Sequence, residues 1–171
     1  RDRVEYLKDF LRKTGRAGFA LGISGGVDST TAGRLAQLAC QQLRQEGIDA
    51  QFYAVRLPSG VQFDEDDAQA ALDFIGPDQT LTINIREAAS VMAMACHNAV
   101  VANGGRLKAS EADFHKGNIK ARLRMTAQYY LAAVYGACVL CTDHAGEAVS
   151  AFWTMCGDES ADLIVLHGLN K

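Results

Sequence analysis

Runs of apolar residues of strand length alternate along this chain with stretches in which apolar residues recur at helical spacing. Four runs predict β-strands, at residues 19–23, 51–57, 81–85 and 136–141. The helical pattern predicts α-helices at residues 3–13, 29–45, 64–75, 87–101 and 119–135. The polar segment 107–116 is expected to be irregular, with Gly117 and Asn118 directly before the last helix.

Strands that alternate with helices predict an α/β fold, in which a doubly wound parallel sheet with right-handed crossovers is flanked by helices. The sequence has no internal repeat, low-complexity tract or linker, so residues 1–171 are expected to form a single domain. Hydrophobic residues make up 49% of the 171 residues, which is enough for a substantial core.

The composition argues against several classes of function. The formal net charge is -3, which gives no indication of a nucleic-acid surface. No apolar run approaches the length of a membrane span, and no signal peptide is visible. The five cysteines indicate reduced thiols and a cytoplasmic protein, because their number is odd and they lack paired spacing. Cys138 and Cys141 should point to opposite faces of a strand and therefore not chelate a metal together.

The segment between the first predicted strand and the next helix has the composition of an anion-binding turn. Gly25 and Gly26 allow the backbone to turn tightly and to approach a ligand closely. The helix start offers unpaired N–H groups at the positive end of its dipole, and Ser24 and Ser29 add hydroxyl donors. Asp28 would repel a phosphate unless a cation lay between them, so this turn predicts Mg²⁺ as well.

Several motifs compete for this turn. A Walker loop requires a lysine that is absent here. Residues 22–26 satisfy the G-x-S-x-G pattern of serine hydrolases, but only one predicted strand precedes them. The candidate acid–histidine pairs for such a hydrolase are Asp143 with His144 and Asp162 with His167. The pattern S-G-G-x-D-S resembles the pyrophosphate loop of the ATP pyrophosphatases that adenylate their substrates. A glycine-rich turn without a ligand is the remaining alternative.

Other polar groups are open to more than one interpretation. The acidic residues 64–67 are expected to form a solvated first helical turn rather than a metal site. Lys120, Arg122 and Arg124 occupy the first turns of the last predicted helix, where they oppose its dipole, so they either meet an anionic ligand or are simply exposed. Polar residues 142–144 follow the fourth predicted strand, at the edge where open α/β sheets hold ligands.

With these residues considered together, the chain is similar to the ammonia-dependent NAD synthetases, within the N-type ATP pyrophosphatase group. The resemblance is carried by six ordered blocks that span nearly the whole chain: residues 21–29, 54–60, 64–69, 116–122, 142–148 and 168–171. It implies a Rossmann-like fold of the adenine nucleotide α-hydrolase type. It also implies a homodimer, with the deamido-NAD site close to the subunit interface.

The resemblance further implies a reaction and a set of site residues. The nicotinate carboxylate of deamido-NAD attacks the α-phosphate of ATP, pyrophosphate leaves, and ammonia then displaces AMP from the adenylated intermediate to give NAD. ATP contacts are implied for Gly22, Ile23, Ser24, Gly25, Gly26, Val27, Asp28, Ser29, Arg56, Gln62, Thr142 and Lys171. Catalytic roles are implied for Asp28, Ser29 and Lys171, magnesium ligation for Asp28 and Glu147, and deamido-NAD contacts for Arg122 and Asp162. Another adenylating ligase and a catalytically weak, dimeric nucleotide-binding module remain the alternatives.

The sequence departs from the family pattern at three positions. Cys141 stands where the family has a glycine, Met155 stands where a lysine is expected to meet deamido-NAD, and Glu159-Ser160 replaces a small, glycine-rich pair. The family also continues beyond the position of Lys171, with a loop that supplies an ATP contact and with a C-terminal segment at the substrate site. We therefore expect residues 1–171 to lack part of the complete site.

Overall fold

A computed structural model describes residues 2–60, 65–143, 154–158 and 160–168 of the chain. Within this part, the helices are α1 (Asp2–Thr14), α2 (Val27–Gln45), α3 (Glu65–Ile75), α4 (Arg86–Ala102) and α5 (Ala109–Tyr135). The strands are β1 (Gly18–Gly22), β2 (Gln51–Arg56), β3 (Gln79–Thr82), β4 (Cys138–Cys141) and β5 (Leu163–Ile164). Strands and helices alternate as predicted.

The strands form one parallel sheet in the order β3-β2-β1-β4-β5. Strand β1 lies at its centre and pairs with β2 along its whole length, from Gly18 opposite Gln51 to Gly22 opposite Val55. The chain first builds the β1-β2-β3 half of the sheet and then places β4 on the other side of β1. The strand order therefore reverses between β1 and β4, which is where open α/β sheets bind their ligands.

Helices cover both faces of this sheet, as the doubly wound prediction requires. Phe19 and Phe52 are buried on one face, in a cluster that includes residues of α1 and α2. Tyr53 and Val139 are buried on the other face beneath α5, where the rings of Tyr53 and Tyr135 stack with their centroids 4.4 Å apart. Successive residues of a strand point to opposite faces, so both apolar clusters share the same strands.

The cysteine side chains of β4 also obey this alternation. Cys138 lies in the cluster beneath α1 and α2, whereas the next residue, Val139, faces α5. Cys141 is two residues beyond Val139 and shares its face, so Cys138 and Cys141 point to opposite sides as predicted. Burial raises the pKa of the Cys138 thiol, and it raises the pKa of Cys40 to about 12. Both thiols therefore stay protonated and unreactive at neutral pH.

The start of α5 is the largest correction to the predicted elements. Residues 107–116 were expected to be irregular and the helix was expected to begin at Ile119, but α5 begins at Ala109. The carboxylate of Glu111 accepts a hydrogen bond of 3.0 Å from the Lys108 N–H, which closes the first turn. Gly117 has open space at its Cβ position, so it marks no special backbone geometry within the helix.

Strand β3 was predicted at residues 81–85 and lies at Gln79–Thr82 instead. It is an edge strand that pairs with β2 alone in the described part of the sheet, and its side chains are largely exposed. An exposed edge strand needs no apolar pattern, so the periodicity could not locate it. The apolar residues beyond it, Ile83 and Ile85, instead pack in the cluster between β2 and α5. Among the described helices, none combines the length and apolar character that a bilayer span requires.

Candidate functional site

The candidate site lies at the carboxyl edge of the sheet, where β1 and β4 diverge. The two strands pair at Phe19 with Cys138 and at Ala20 with Val139. Strand β1 continues to Gly22 and β4 to Cys141, beyond the level at which they pair. The loop that follows β1 therefore stands at the switch point of the sheet, as the sequence predicts for a ligand-binding turn.

Hydrogen bonds within the loop after β1 converge on the hydroxyl of Ser29, which is buried. Ser29 Oγ accepts from the N–H of Ser24 at 3.3 Å, donates to the carbonyl of Gly26 at 3.1 Å and lies 3.2 Å from Ser24 Oγ. Ser24 Oγ in turn accepts from the Gly26 N–H at 3.3 Å. The buried hydroxyl of Ser29 thus stabilises the loop by hydrogen bonds to its backbone, whereas Ser24 is exposed to solvent.

Helix α2 starts two residues earlier than predicted, at Val27, with Gly26 as its N-cap. Asp28 therefore lies within the first turn of the helix, where it is half-buried. The first N–H groups of a helix have no acceptor within the helix and carry the positive end of its dipole. The N-terminus of α2 consequently brings both the first N–H groups of the helix and a carboxylate to the same edge of the sheet.

Arg56, the last residue of β2, brings a cation to the same edge and is bound to α3. Its two terminal nitrogens donate to the two carboxylate oxygens of Glu65 at 3.1 and 3.0 Å, in a paired arrangement. Arg56 is 4% exposed, whereas the side chain of Glu65 is 63% exposed. The hydrogen bonds from Arg56 lower the pKa of Glu65, so this pair remains ionised at neutral pH.

Helix α5 lies against the same region, and its side chains contact several segments at the carboxyl edge of the sheet. The carboxamide of Gln128 accepts from the Gly22 N–H at 2.7 Å. Arg124 Nε donates to the carbonyl of Leu57, just after β2, at 3.3 Å. Arg122 donates to the carbonyl of Met155 at 3.3 Å from Nε and at 3.1 Å from Nη2. One helix thus holds the loops that follow β1 and β2 and the segment beyond β4.

Asp162, just before β5, is engaged by the sheet and by α5. Its carboxylate accepts from the Val139 N–H at 2.8 Å and from the Tyr129 hydroxyl at 3.4 Å. Burial, together with the neighbouring Asp162 carboxylate, raises the pKa of the Tyr129 hydroxyl, which therefore keeps its proton to donate. Asp162 and Met155 therefore both contact α5, through Tyr129 and Arg122, which lie two turns apart on this helix.

Residues 1–171 match the sequence profile of the family described as NAD synthase. The chain belongs to the NAD synthase family. Proteins of Bacillus velezensis and Bacillus subtilis, both named NH(3)-dependent NAD(+) synthetase, are 54% identical to it over 170 residues. These matches cover 99% of this chain and 60% of each relative, so the chain spans about 60% of their length.

Solved structures with related sequences have the same fold. The crystal structure of NAD+ synthetase from Burkholderia pseudomallei is 46% identical, with a TM-score of 0.89, over 99% of this chain and 61% of that chain. The structure of NMN synthetase from Francisella tularensis is 28% identical, with a TM-score of 0.79, over 99% of this chain and 63% of that chain. The family and the fold predicted from the sequence are thereby confirmed.

The residues expected from the NAD synthase pattern divide into two groups around the switch point. Residues 22–29 start with the last residue of β1, and Thr142 follows β4 at the same edge, with Arg56 at the end of β2. Arg122 lies on α5 with its side chain exposed. Its position in the fourth turn of α5 corrects the premise that it opposes the dipole at a helix start. Gln62, Glu147 and Lys171 lie outside the described residues, as do His144 and Glu159.

The described residues contain no group of three or more His, Cys, Asp and Glu side chains with the geometry to hold a metal ion. Magnesium ligation by Asp28 with Glu147 stays a prediction, because Glu147 is outside this part of the chain. Sequence reasoning missed Gln128 altogether. A glutamine among the apolar residues Ala127 and Leu131 of a core-facing helix was the available signal.

Proposed function

We propose that this member of the NAD synthase family converts deamido-NAD to NAD with ammonia and ATP, releasing AMP and pyrophosphate through an adenylated intermediate. The observation that carries the proposal is the loop at residues 22–29, which turns into the start of α2 at the β1–β4 switch point. This placement suits the binding of a nucleoside triphosphate. The identity to curated NH(3)-dependent NAD(+) synthetases supports the choice of substrate.

For ATP, we propose that residues 22–29, Arg56, Gln62, Thr142 and Lys171 form the binding site. Negative charge grows on the pyrophosphate as it leaves, so hydrogen-bond donors fixed beside it stabilise the transition state more than the ground state. Hydrogen bonds of the Ser29 and Ser24 hydroxyls hold the backbone of Ser24 and Gly26 in place before ATP binds. Asp28 and Ser29 act at this loop, and Lys171 is proposed to complete it.

The side chain of Asp28 fits a magnesium site. It lies in the first turn of α2 beside the proposed phosphate site, and carboxylate oxygens are preferred magnesium ligands. We propose that Asp28 and Glu147 hold Mg²⁺, which when bound would neutralise charge on the leaving pyrophosphate. The half-burial of Asp28 strengthens its attraction to a cation relative to a fully solvated carboxylate.

For deamido-NAD, we propose contacts from Arg122 and Asp162. The exposed guanidinium of Arg122 can form paired hydrogen bonds with a phosphate while it keeps its bond to the Met155 carbonyl. That bond places position 155 next to Arg122, which supports its assignment to the same substrate. Asp162 has carboxylate lone pairs beyond those that accept from Val139 and Tyr129, so it can also receive a donor from the ligand.

A homodimer is proposed as the working form. Helix α4 has one buried residue, Ala89, while Val91, Met92 and Met94 are all more than half exposed. On α5, Tyr130 is 70% and Val134 is 61% exposed. Large apolar side chains exposed in this number on two helices favour an interaction surface, and a second copy of the chain would cover them. A single domain over residues 1–171 and a cytoplasmic location are proposed with it.

The proposal is tested by ATP-to-AMP turnover in the full-length protein with deamido-NAD and ammonia. The expected result is AMP formation that requires both, with NAD as the second product. Turnover with another carboxylate would indicate a different adenylating ligase, and ester cleavage without ATP would indicate a hydrolase. Deamidated NMN serves as a specificity control, because a structurally similar protein from Francisella tularensis is named NMN synthetase. Nucleotide binding without turnover would indicate a nucleotide-binding module and overturn the proposal.

A further inference from the structure

Gln128 occupies an unusual place for a buried amide side chain. It is 3% exposed, on the face of α5 that packs against the sheet. Its Oε1 accepts from the Gly22 N–H at 2.7 Å, and its Nε2 donates to the carbonyl of Arg124 at 3.5 Å. Gly22 and Gln128 are 106 residues apart in sequence, so this hydrogen bond joins two distant elements directly at the start of the loop.

The hydrogen bond from Gly22 compensates for the divergence of two strands. Along a strand, successive N–H groups point to opposite neighbours. The Ile23 N–H donates to Val55 of β2 at 2.9 Å, so the Gly22 N–H faces the β4 side. The pairing of β1 with β4 has ended at Ala20 by this level. Gln128 thus supplies the acceptor that a strand partner would otherwise provide, at the switch point where the ligand is proposed to bind.

The absence of a side chain at Gly22 matches the position of Gln128. A Cβ atom at position 22 would lie 3.3 Å from both Oε1 and Nε2 of the carboxamide. This separation is tighter than ordinary van der Waals contact, so even a methyl group would press on the amide. The backbone of β1 and the carboxamide therefore approach each other as closely as a glycine allows.

We propose that Gln128 is a positioning residue, which holds the loop at residues 22–29 in a fixed position relative to α5. This inference rests on the proposed function. Arg122, which is proposed to bind deamido-NAD, lies six residues before Gln128, or about 9 Å along the helix. Gln128 therefore connects the site of one substrate to the site of the other. The carboxylate of deamido-NAD must approach the α-phosphate to about 3–3.5 Å before it can attack, so small shifts between the two sites slow adenylation.

The test compares Gln128→Met with a matched control in the full-length protein. Methionine keeps the length and burial of the side chain but removes the acceptor. The control is Gln37→Met, because Gln37 is 2% exposed and donates at 3.1 Å to Asp78, which lies just before β3 and also accepts from the Phe52 N–H at the start of β2. That network is at the amino edge of the sheet, away from the proposed site. Gln128→Met removes a buried carboxamide that makes two hydrogen bonds, and Gln37→Met removes one that makes a single hydrogen bond. The free energy of unfolding is therefore measured for both variants, and their adenylation rates are compared under conditions in which both are folded.

Single-turnover release of pyrophosphate with saturating MgATP and deamido-NAD measures adenylation. Gln128→Met is expected to slow it about 10- to 100-fold, with a deamido-NAD dissociation constant within about twofold of the wild type. Gln37→Met is expected to leave the rate unchanged. In the free protein, hydrogen exchange at the Gly22 amide should accelerate in Gln128→Met alone of these variants.

Equal adenylation rates in Gln128→Met and Gln37→Met, with a wild type that is active, would overturn the positioning role alone. A wild type that releases no pyrophosphate would overturn the proposed function and this role with it. If Gln128→Met does not fold, Gly22→Ala displaces the carboxamide from the other side and should slow adenylation by a similar factor. A Gly22→Ala rate equal to the wild type would then refute the role of Gln128.

Discussion

Gly25 is the position at which the shape of the loop can be tested most sharply. Its φ is +90°, a conformation that side chains with a Cβ rarely adopt. A Cβ atom there would also lie 2.9 Å from the backbone nitrogen and 3.1 Å from the Cα of Ala68, in the first turns of α3. Since these are backbone atoms, no side-chain rotation can relieve the overlap. Gly25→Ala should therefore strain the loop and displace it from α3.

The adjacent glycine provides a control with the same chemical change. Gly26 has φ -71° and ψ 160°, and the nearest atom to a Cβ at that position is Ser24 Oγ at 3.4 Å. Gly26→Ala should therefore cost less than about 1 kcal/mol, the usual loss at a helix N-cap. For Gly25→Ala, the positive φ costs about 1–2 kcal/mol. Relief of the backbone overlap adds about 1 kcal/mol, for a total of about 2–3 kcal/mol.

Urea unfolding of both variants and the wild type measures these differences in the free energy of unfolding. Titration with MgATP by calorimetry then measures the loop itself. We expect Gly25→Ala to weaken MgATP binding about tenfold or more, because a displaced loop no longer presents its N–H groups together. If Gly25→Ala and Gly26→Ala were equally stable, the packing of the loop against α3 described above would be refuted.

Three further predictions concern the metal, the second substrate and the assembly. Asp28→Asn should weaken Mg²⁺-dependent ATP binding without unfolding the protein. The control Asp73→Asn, on α3, should leave MgATP binding unchanged. Unchanged MgATP titration of Asp28→Asn would contradict the magnesium site. Met155→Lys should tighten deamido-NAD binding about 10- to 100-fold and leave ATP binding unchanged, since a charge-assisted hydrogen bond contributes about 1.5–3 kcal/mol. Unchanged deamido-NAD affinity in calorimetry would show that position 155 points away from this ligand. Sedimentation should show a dimer at micromolar concentration that Val91→Glu with Met94→Glu dissociates and Tyr6→Glu on α1 does not; a monomeric wild type would refute it.

The loop after β1 was predictable because its signals are local. Two adjacent glycines, two serines and an aspartate occur within six residues, directly after an apolar run. Each residue type has a specific backbone or hydrogen-bonding consequence at a strand-to-helix turn, so composition and spacing together were informative. The sequence did not indicate that Ser29 Oγ is the internal brace, because that depends on the path of the backbone.

The features that sequence reasoning missed depend on distant or neutral signals. The first two turns of α5 have no apolar periodicity, so the pattern that located the other helices did not predict them. The hydrogen bond between Gly22 and Gln128 connects residues that only the completed sheet brings together. The ion pair of Arg56 with Glu65 likewise requires that α3 begin beside the end of β2.

The most direct test of the central claim follows an oxygen atom through the reaction. Deamido-NAD labelled with ¹⁸O in its nicotinate carboxylate is incubated with the full-length protein, MgATP and ammonia, and AMP is analysed by mass spectrometry. If the carboxylate attacks the α-phosphate, ammonia then displaces AMP together with one labelled oxygen, so the AMP phosphate must carry ¹⁸O. AMP without label, or label in inorganic phosphate released with ADP, would contradict the adenylated intermediate and the function proposed for this site.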